Sequence, residues 1–307
     1  MENTLEKTHD GQAMVSGSAL IGSLQVVAAG ICWGTLGIFS TQLGKLGFSS
    51  IDITILRVVT AGALVLALLP QLLPVFKRLS LKEWFGLALQ SLIGVLGMTL
   101  CYFFAVQQVG VSMAVALLYT APVFSLVLAR VILGEKISLK AALLAVVAVI
   151  GVACLMLGDK FDLNIGVMIG LLSGLCYSLY GILGKKAMSY HHPANLVFFS
   201  SVAFSALALL LVPQTYQAYA TLFSLSNTSL LLVLGLSLLG TIVPFFLYMN
   251  ALKKLSATKA SVFTIVEPLT AIILATVLLQ QPLKPLQMVG VTLIIAATLM
   301  NALWGKS

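Results

Sequence analysis

Apolar residues run through this chain in ten long blocks, at about 22–43, 53–73, 84–106, 111–133, 139–157, 164–183, 194–213, 229–250, 260–279 and 286–304. Polar and charged residues collect in the short gaps between them. A helix rises about 1.5 Å per residue, so a block of about 20 residues spans a hydrocarbon core about 30 Å thick. Membrane-spanning strands need only about ten residues and alternate apolar with polar; these blocks do not alternate. The pattern predicts an all-α membrane protein with ten transmembrane helices. Residues 1–21 are polar and lack the charged-then-apolar order of a signal peptide. They are expected to form a cytoplasmic N-terminal tail.

Composition removes the competing classes. Of 307 residues, 60% are apolar and 8% charged, with a mean hydropathy of +1.09. Soluble domains carry about 25% charged residues, and a water-facing surface cannot be made from so few. A disordered chain and a secreted disulfide scaffold fail for the same reason. The net charge of +8 does not indicate a nucleic-acid partner, because the basic residues stand singly or in small groups between apolar blocks. Their placement reads instead as topology. Alternating sides from a cytoplasmic N-terminus puts 13 Lys and Arg inside and only Lys45, Lys160 and Lys284 outside, with Arg57 within a span. Cytoplasmic loops carry such an excess, so both termini are expected in the cytoplasm. Cys32, Cys101, Cys154 and Cys176 lie in apolar blocks without metal spacing and read as packing residues. No metal site or cofactor is expected.

The chain repeats itself. Gly30-Ile-Cys-Trp-Gly-Thr-Leu-Gly-Ile38 aligns with Gly174-Leu-Cys-Tyr-Ser-Leu-Tyr-Gly-Ile182 at an offset of 144. Tyr102 aligns with Tyr248, Ala114 with Ala260 and Pro122 with Pro268 at an offset of 146. Two halves follow, 22–157 and 164–304, each of five spans. Five is odd, so the second half crosses the membrane in the opposite sense. Inverted repeats of this kind recur in secondary transporters, where the two packings give inward-open and outward-open states.

Ionisable groups inside spans are costly and mark candidate sites. Glu267 lies eight residues beyond Lys259, roughly 12 Å into the core. Pro268 follows it and frees the carbonyl of Thr264 one turn back. Glu267, Thr264 and Phe263 thus form a patch that lines a substrate cavity or, alternatively, a protonated hydrogen bond between helices. Arg57 either snorkels to the outer edge or binds an anionic group or a helix carboxyl end. Pro122 and Pro268 occupy matching places, as gating interruptions beside a central site or as tolerated prolines. Tyr119 shares a face with Pro122. Trp33, Tyr177, Tyr180, Tyr102, Tyr248 and Asn250 add aromatic and polar groups at repeat-related positions. These residues are the expected substrate site, with Glu267, Arg57, Pro122 and Pro268 in coupling or gating. The glycine stripes Gly22, Gly30, Gly34 and Gly166, Gly170, Gly174 are expected to be packing surfaces.

With Cys32-Trp33-Gly34, Ile55-Leu56-Arg57, Ala121-Pro122, Leu133-Gly134-Glu135-Lys136 and Glu267-Pro268 in this order, the chain resembles the EamA-type transporters of the drug/metabolite transporter superfamily. The resemblance covers everything after the tail. One departure concerns the Gly-Glu pair often found after the ninth span, where this chain has Gln280-Gln281. The resemblance implies a secondary transporter of a small molecule in a bacterial inner membrane. The reading adopted is export of amino acids or related metabolites, coupled to a proton or substrate gradient. The alternative is uptake of a choline-like quaternary amine held by Glu267 and ring faces. An intramembrane enzyme is the rival from another class, but no His-Glu-x-x-His or Gly-x-Ser-x-Gly is present and His9, His191 and His192 lie outside the spans. A phosphate-binding loop is absent, so no ATPase motor is expected.

Overall fold

The computed structural model describes residues 20–133, 139–157, 164–188, 193–252, 254, 263, 266–281 and 283–304. They form eleven helices: α1 (Leu20–Lys45), α2 (Ser50–Phe76), α3 (Leu81–Val109), α4 (Val111–Ile132), α5 (Leu139–Leu157), α6 (Ile165–Met188), α7 (Ala194–Leu210), α8 (Pro213–Ser224), α9 (Asn227–Tyr248), α10 (Val266–Leu278) and α11 (Pro285–Trp304). The tail up to residue 19, Gly134-Glu135 and Thr264 fall outside the described residues.

Six of these helices, α1, α2, α3, α4, α6 and α9, are long and apolar enough to cross a bilayer. A seventh span arises if α7 and α8 count together, but they meet at 92°. The turn falls before Pro213, which cannot continue the α7 hydrogen-bond ladder. The expected seventh block thus ends in a helix, α8, that the apolar pattern did not mark. Shorter apolar stretches occur at Ala142–Gly151, Val266–Leu278 and Pro285–Ala297.

The distribution of side chains is that of a membrane protein. Large apolar residues face outward, among them Val131, Leu139, Phe246 and Ile273. The interior holds Ser40, Thr54, Gln90, Ser91, Thr99, Ser200, Ser201, Ser205 and Ser237, all essentially fully buried. Lipid is as apolar as leucine, so helices associate through close packing of small residues and through hydrogen bonds between them. At their polar ends α2 and α3 start with capping boxes, in which Ser49 pairs with Asp52 and Ser80 with Glu83.

Contacts inside the bundle follow the sequence repeat. A Cβ on Gly94 of α3 would meet Tyr180 of α6 at 2.7 Å, and one on Gly240 of α9 would meet Leu36 of α1. Gly94 and Gly240 are 146 apart, and Leu36 and Tyr180 are 144 apart. Likewise Gly30 of α1 packs on Val266 of α10 while Gly174 of α6 packs on Thr120 of α4, again a repeat-related pair. Gly62 of α2 lies against Ala206 of α7, its own repeat partner. The first half places its helices on the second as the second places its own on the first.

Both α3 and α9 carry a widened turn of π-helix, at Gln90–Gly97 and Leu238–Ile242. These two segments also correspond at the 146 offset. Such segments interrupt the i→i+4 ladder and favour functional positions. In α4 the helix breaks at Tyr119-Thr120 and resumes at Ala121. Pro122 has no N–H to donate to the carbonyl of Leu118. Thr120 Oγ1 donates to the neighbouring Leu117 carbonyl at 2.6 Å.

Candidate functional site

Glu267 and Pro268 stand next to each other on α10. Glu267 is 8% exposed. The glycine stripe of α1 brings that helix onto the same stretch: a Cβ on Gly30 would lie 3.2 Å from the Glu267 backbone nitrogen, and one on Gly34 would lie 2.6 Å from Thr270 Cβ. From the other side, the break in α4 turns Tyr119 toward α10. Its hydroxyl donates to Glu267 Oε2 at 2.8 Å. One buried hydrogen bond thus joins the break in α4 to α10, 148 residues away.

Aromatic residues surround this pair. Trp33 of α1 packs edge-on against Phe245 at 5.3 Å between ring centroids and lies 5.7 Å from Tyr248, both on α9. Tyr180 meets the same Phe245 at 6.0 Å. Tyr102, Tyr119, Tyr177 and Arg57 lie within electrostatic range of the Glu267 carboxylate, and Tyr248 lies within such range of Tyr119, Tyr177 and Tyr180. The structure therefore brings Trp33, Tyr102, Tyr119, Tyr177, Tyr180, Tyr248 and Glu267 to one region where α1, α3, α4, α6, α9 and α10 meet. Phe263 packs with Tyr248 against Val26 and Ala251. Asn250, in the helical stretch Val243–Leu252 that carries α9 past Tyr248, turns its amide back to donate to the Phe246 carbonyl at 2.9 Å. Pro268 is buried beside Glu267, and Pro122 is the second residue of the resumed α4 helix. Phe245 was not singled out from the sequence, because a phenylalanine in an apolar block carries no signal of its own.

Arg57 does not snorkel. Its side chain is 3% exposed and points across the bundle to α9. Nε donates to Thr241 Oγ1 at 2.9 Å, and an Nη donates to the Gly240 carbonyl at 2.9 Å. The other Nη donates to Thr99 Oγ1 on α3 at 3.3 Å, and the guanidinium carbon lies 5.6 Å from the Phe103 ring centroid. The widened turn at Leu238–Ile242 supplies two of these acceptors. Arg57 and Glu267 act on each other through space, while the hydrogen bonds of each go to neutral partners.

A second polar node mirrors this one. Ser237 Oγ of α9 donates to the Arg57 carbonyl at 3.1 Å. Its repeat partner Ser91 of α3 donates to the carbonyl of Ser201, the repeat partner of Arg57. Ser91 also contacts Ser205 at 2.8 Å, and Ser201 Oγ donates to Gln90 Oε1 at 2.8 Å. Where the first half places Arg57 the second places Ser201, and where the second places Glu267 the first places Ala121. The repeat thus keeps its backbone contacts and breaks its symmetry at the two buried charges. Among the described residues no three His, Cys, Asp or Glu side chains gather as metal ligands.

The Gln280-Gln281 pair has a structural part. Gln281 Oε1 accepts from the Val111 backbone N–H at 3.2 Å, satisfying a free donor at the start of α4. Gln280 holds φ at +54°, a left-handed conformation that costs a side-chain-bearing residue about 1–2 kcal/mol. Gln280→Gly is therefore expected to stabilise the protein by about 0.5–1 kcal/mol after the entropy of glycine is counted. A raised midpoint of thermal unfolding in detergent is the expected reading; a lowered midpoint would mean that the glutamine side chain contributes more than its backbone strain costs.

Comparison with known proteins agrees with this architecture. The EamA-like transporter family matches residues 20–157 and again 164–303. A protein named as an uncharacterized transporter of Archaeoglobus fulgidus is 29% identical over 278 residues, covering 91% of this chain and 95% of its own length. The threonine/homoserine exporter RhtA of Escherichia coli K12 is 30% identical over 212 residues, covering 67% of this chain and 68% of its own. A protein named as the uncharacterized transporter YetK of Bacillus subtilis is 26% identical over 280 residues, covering 87% of this chain and 83% of its own. A solved crystal structure superposes with a TM-score of 0.59 at 19% identity, covering 95% of this chain and 99% of that one, which shows a shared fold. With two family matches that together take in nearly every residue after the tail, and with an apolar helical bundle to carry them, the chain is an integral membrane protein of the EamA-like transporter family, in the drug/metabolite transporter superfamily, and a transporter rather than an enzyme.

Proposed function

We propose that this protein is a secondary active exporter of amino acids or closely related metabolites, coupled to a proton or substrate gradient. It works by alternating access between two five-helix halves, 22–157 and 164–304, that cross a bacterial inner membrane in opposite senses with both termini in the cytoplasm. The ten spans of this reading are α1 to α7 and α9 to α11. Supporting the inverted arrangement are the paired contacts of Gly94 with Tyr180 and Gly240 with Leu36, and the paired serine bonds of Ser91 and Ser237. Supporting the orientation is the excess of basic residues on one set of loops.

The observation that carries the substrate class is the buried Glu267 carboxylate, held by Tyr119 among aromatic rings and within electrostatic range of a second buried charge, Arg57. A carboxylate among ring faces suits an ammonium group. A permanent guanidinium in the same low-dielectric region opposes a substrate of net positive charge. A zwitterion satisfies both, its ammonium toward Glu267 and its carboxylate toward the Arg57 side. This favours an amino acid over a choline-like cation, and the relative named as a threonine/homoserine exporter points the same way. In the exchange cycle Glu267 holds either a proton or the substrate ammonium, and swaps one for the other on opposite faces of the membrane.

Counterflow tests the proposal. Proteoliposomes preloaded with threonine should accumulate labelled threonine transiently and saturably, and an inward proton gradient should speed its loss. Cysteines placed at positions 7 and 284 should be labelled from opposite sides of the membrane. Accumulation of choline in place of amino acids, or flux that does not saturate, would overturn the reading; labelling of both cysteines from one side would overturn the topology.

A further inference from the structure

At the end of the bundle that carries the turn between α2 and α3, a groove of about 740 Å³ opens on the outer surface. Leu81, Lys82, Trp84, Phe85 and Ala88 of α3 line one wall and Phe204 of α7 the other. Trp84 is tilted against Phe76 at 5.1 Å and edge-on to Phe204 at 5.6 Å. Leu81 and Phe85 stand 87% and 68% exposed, on one face of α3. From Leu81 to Ala88 the α3 wall runs seven residues, about 10 Å, which lies within one leaflet of a core about 30 Å thick.

The rim differs in character from the walls. Lys82 lines the mouth, and Lys77 and Arg78 stand exposed on the turn that leads into it. Glu83 lies on the same turn, with its carboxylate accepting from the Ser80 backbone at 2.7 Å in the capping box. The turn from Lys77 to Glu83 therefore carries three positive charges and one negative. An apolar slot within one leaflet, under a net positive rim, matches the two ends of an anionic phospholipid. A second copy of this chain fits less well, since a two-fold contact through this face would set the same basic turn against itself.

We infer that the groove is a binding site for a phospholipid with an anionic headgroup. One acyl chain lies along Trp84, Phe85, Ala88 and Phe204, and the headgroup phosphate meets Lys82 with Lys77 and Arg78. The site lies apart from Glu267, and it ties the entry of α3, below the widened turn at Gln90–Gly97, to α7.

Native mass spectrometry of protein extracted from nanodiscs with equal phosphatidylglycerol and phosphatidylcholine tests this. Each basic residue near an anionic headgroup contributes about 1 kcal/mol, or about fivefold. With three such residues and one opposing carboxylate, the protein should retain phosphatidylglycerol over phosphatidylcholine by roughly tenfold or more. The combined variant Lys77→Gln, Arg78→Gln, Lys82→Gln should lose that preference, and Ala88→Trp should lose the retained lipid by filling the groove. Circular dichroism checks that both are folded; if the combined variant is not, Lys82→Gln alone should lower the preference about fivefold. Equal retention of the two lipids by the unaltered protein, an undiminished preference in the Gln variants, or a lipid-free dimer that Ala88→Trp dissociates would each overturn the assignment.

Discussion

Glu267→Gln is expected to leave a folded transporter whose rate no longer follows pH. Glutamine keeps the size of the side chain, and its amide oxygen accepts from the Tyr119 hydroxyl in place of the carboxylate. What it removes is the charge and the ability to exchange a proton. A hydrogen bond to a charged group contributes about 1.5–3 kcal/mol, so affinity for an amino substrate should fall about ten- to a hundredfold. The groups that face Glu267 are Tyr119 of α4, Tyr177 of α6, Tyr102 of α3 and Arg57 of α2, with Tyr248 of α9 behind them. Phenols and guanidinium do not titrate near neutral pH in ordinary surroundings, so among the described residues none of these neighbours replaces Glu267 as the titrating group. Tyr119→Phe is the companion variant. It keeps the ring, loses one hydrogen bond, and should cost about fivefold in affinity while leaving the pH profile in place. Proteoliposome flux across a pH series separates the outcomes. An unchanged profile and affinity in Glu267→Gln would make Glu267 a structural hydrogen bond and remove the basis for proton exchange.

Arg57→Met is expected to destabilise the fold more than any single change at the aromatic cluster. Methionine fills much of the volume but donates to nothing. The Gly240 carbonyl and the Thr241 and Thr99 hydroxyls lose their donor inside a buried interface. Leaving such groups unpaired costs about 1–3 kcal/mol each where no neighbour or water takes over. A total of about 2–4 kcal/mol is the expected loss, seen as a lowered unfolding midpoint and early aggregation in detergent. Arg57→Lys keeps the charge but replaces a planar fork with one compact ammonium, and should fall between. The mirror position calibrates the effect: Ser201→Ala removes the single bond to Gln90 and should cost only about 1 kcal/mol. If Arg57→Met matched the unaltered protein in stability while losing transport, the residue would serve the substrate and not the joint between the halves.

In the proposed exchange cycle, the two charged residues give the repeated halves different parts to play. Identical halves would give two equivalent states with no place for a coupled ligand. Here the repeat is retained where helices touch, at the glycines and at the paired serines, and is abandoned at Arg57 and Glu267. Under the proposed alternating access, opposite charges on opposite halves would give the shared region a polarity that reorients with respect to the membrane faces.

Local pattern alone settled the class of this protein. Block length and scarcity of charge dictate helices in a bilayer, since backbone groups in hydrocarbon must be satisfied within the segment. The offsets of 144 and 146 were legible because side chains at close helix contacts must stay small, which leaves Gly30 and Gly174 in matching places. Glu267, Tyr119 and Trp33 stood out by the same logic, as residues too costly or too bulky to be accidental in such blocks. The partners of Arg57 were not legible. Its acceptors lie 183 and 184 residues away on α9, and nothing in a span's composition says which helix it will face. The widened turns at Gln90–Gly97 and Leu238–Ile242 were hidden for a related reason. A shift from i→i+4 to i→i+5 bonding leaves no mark on hydropathy, and it is held by contacts made elsewhere. The 92° turn into α8 and the cap that Gln281 places on α4 belong with these. Periodicity and polarity act within a segment and so can be read along it; register between segments is decided by which surfaces fit, and only the assembled bundle contains that information.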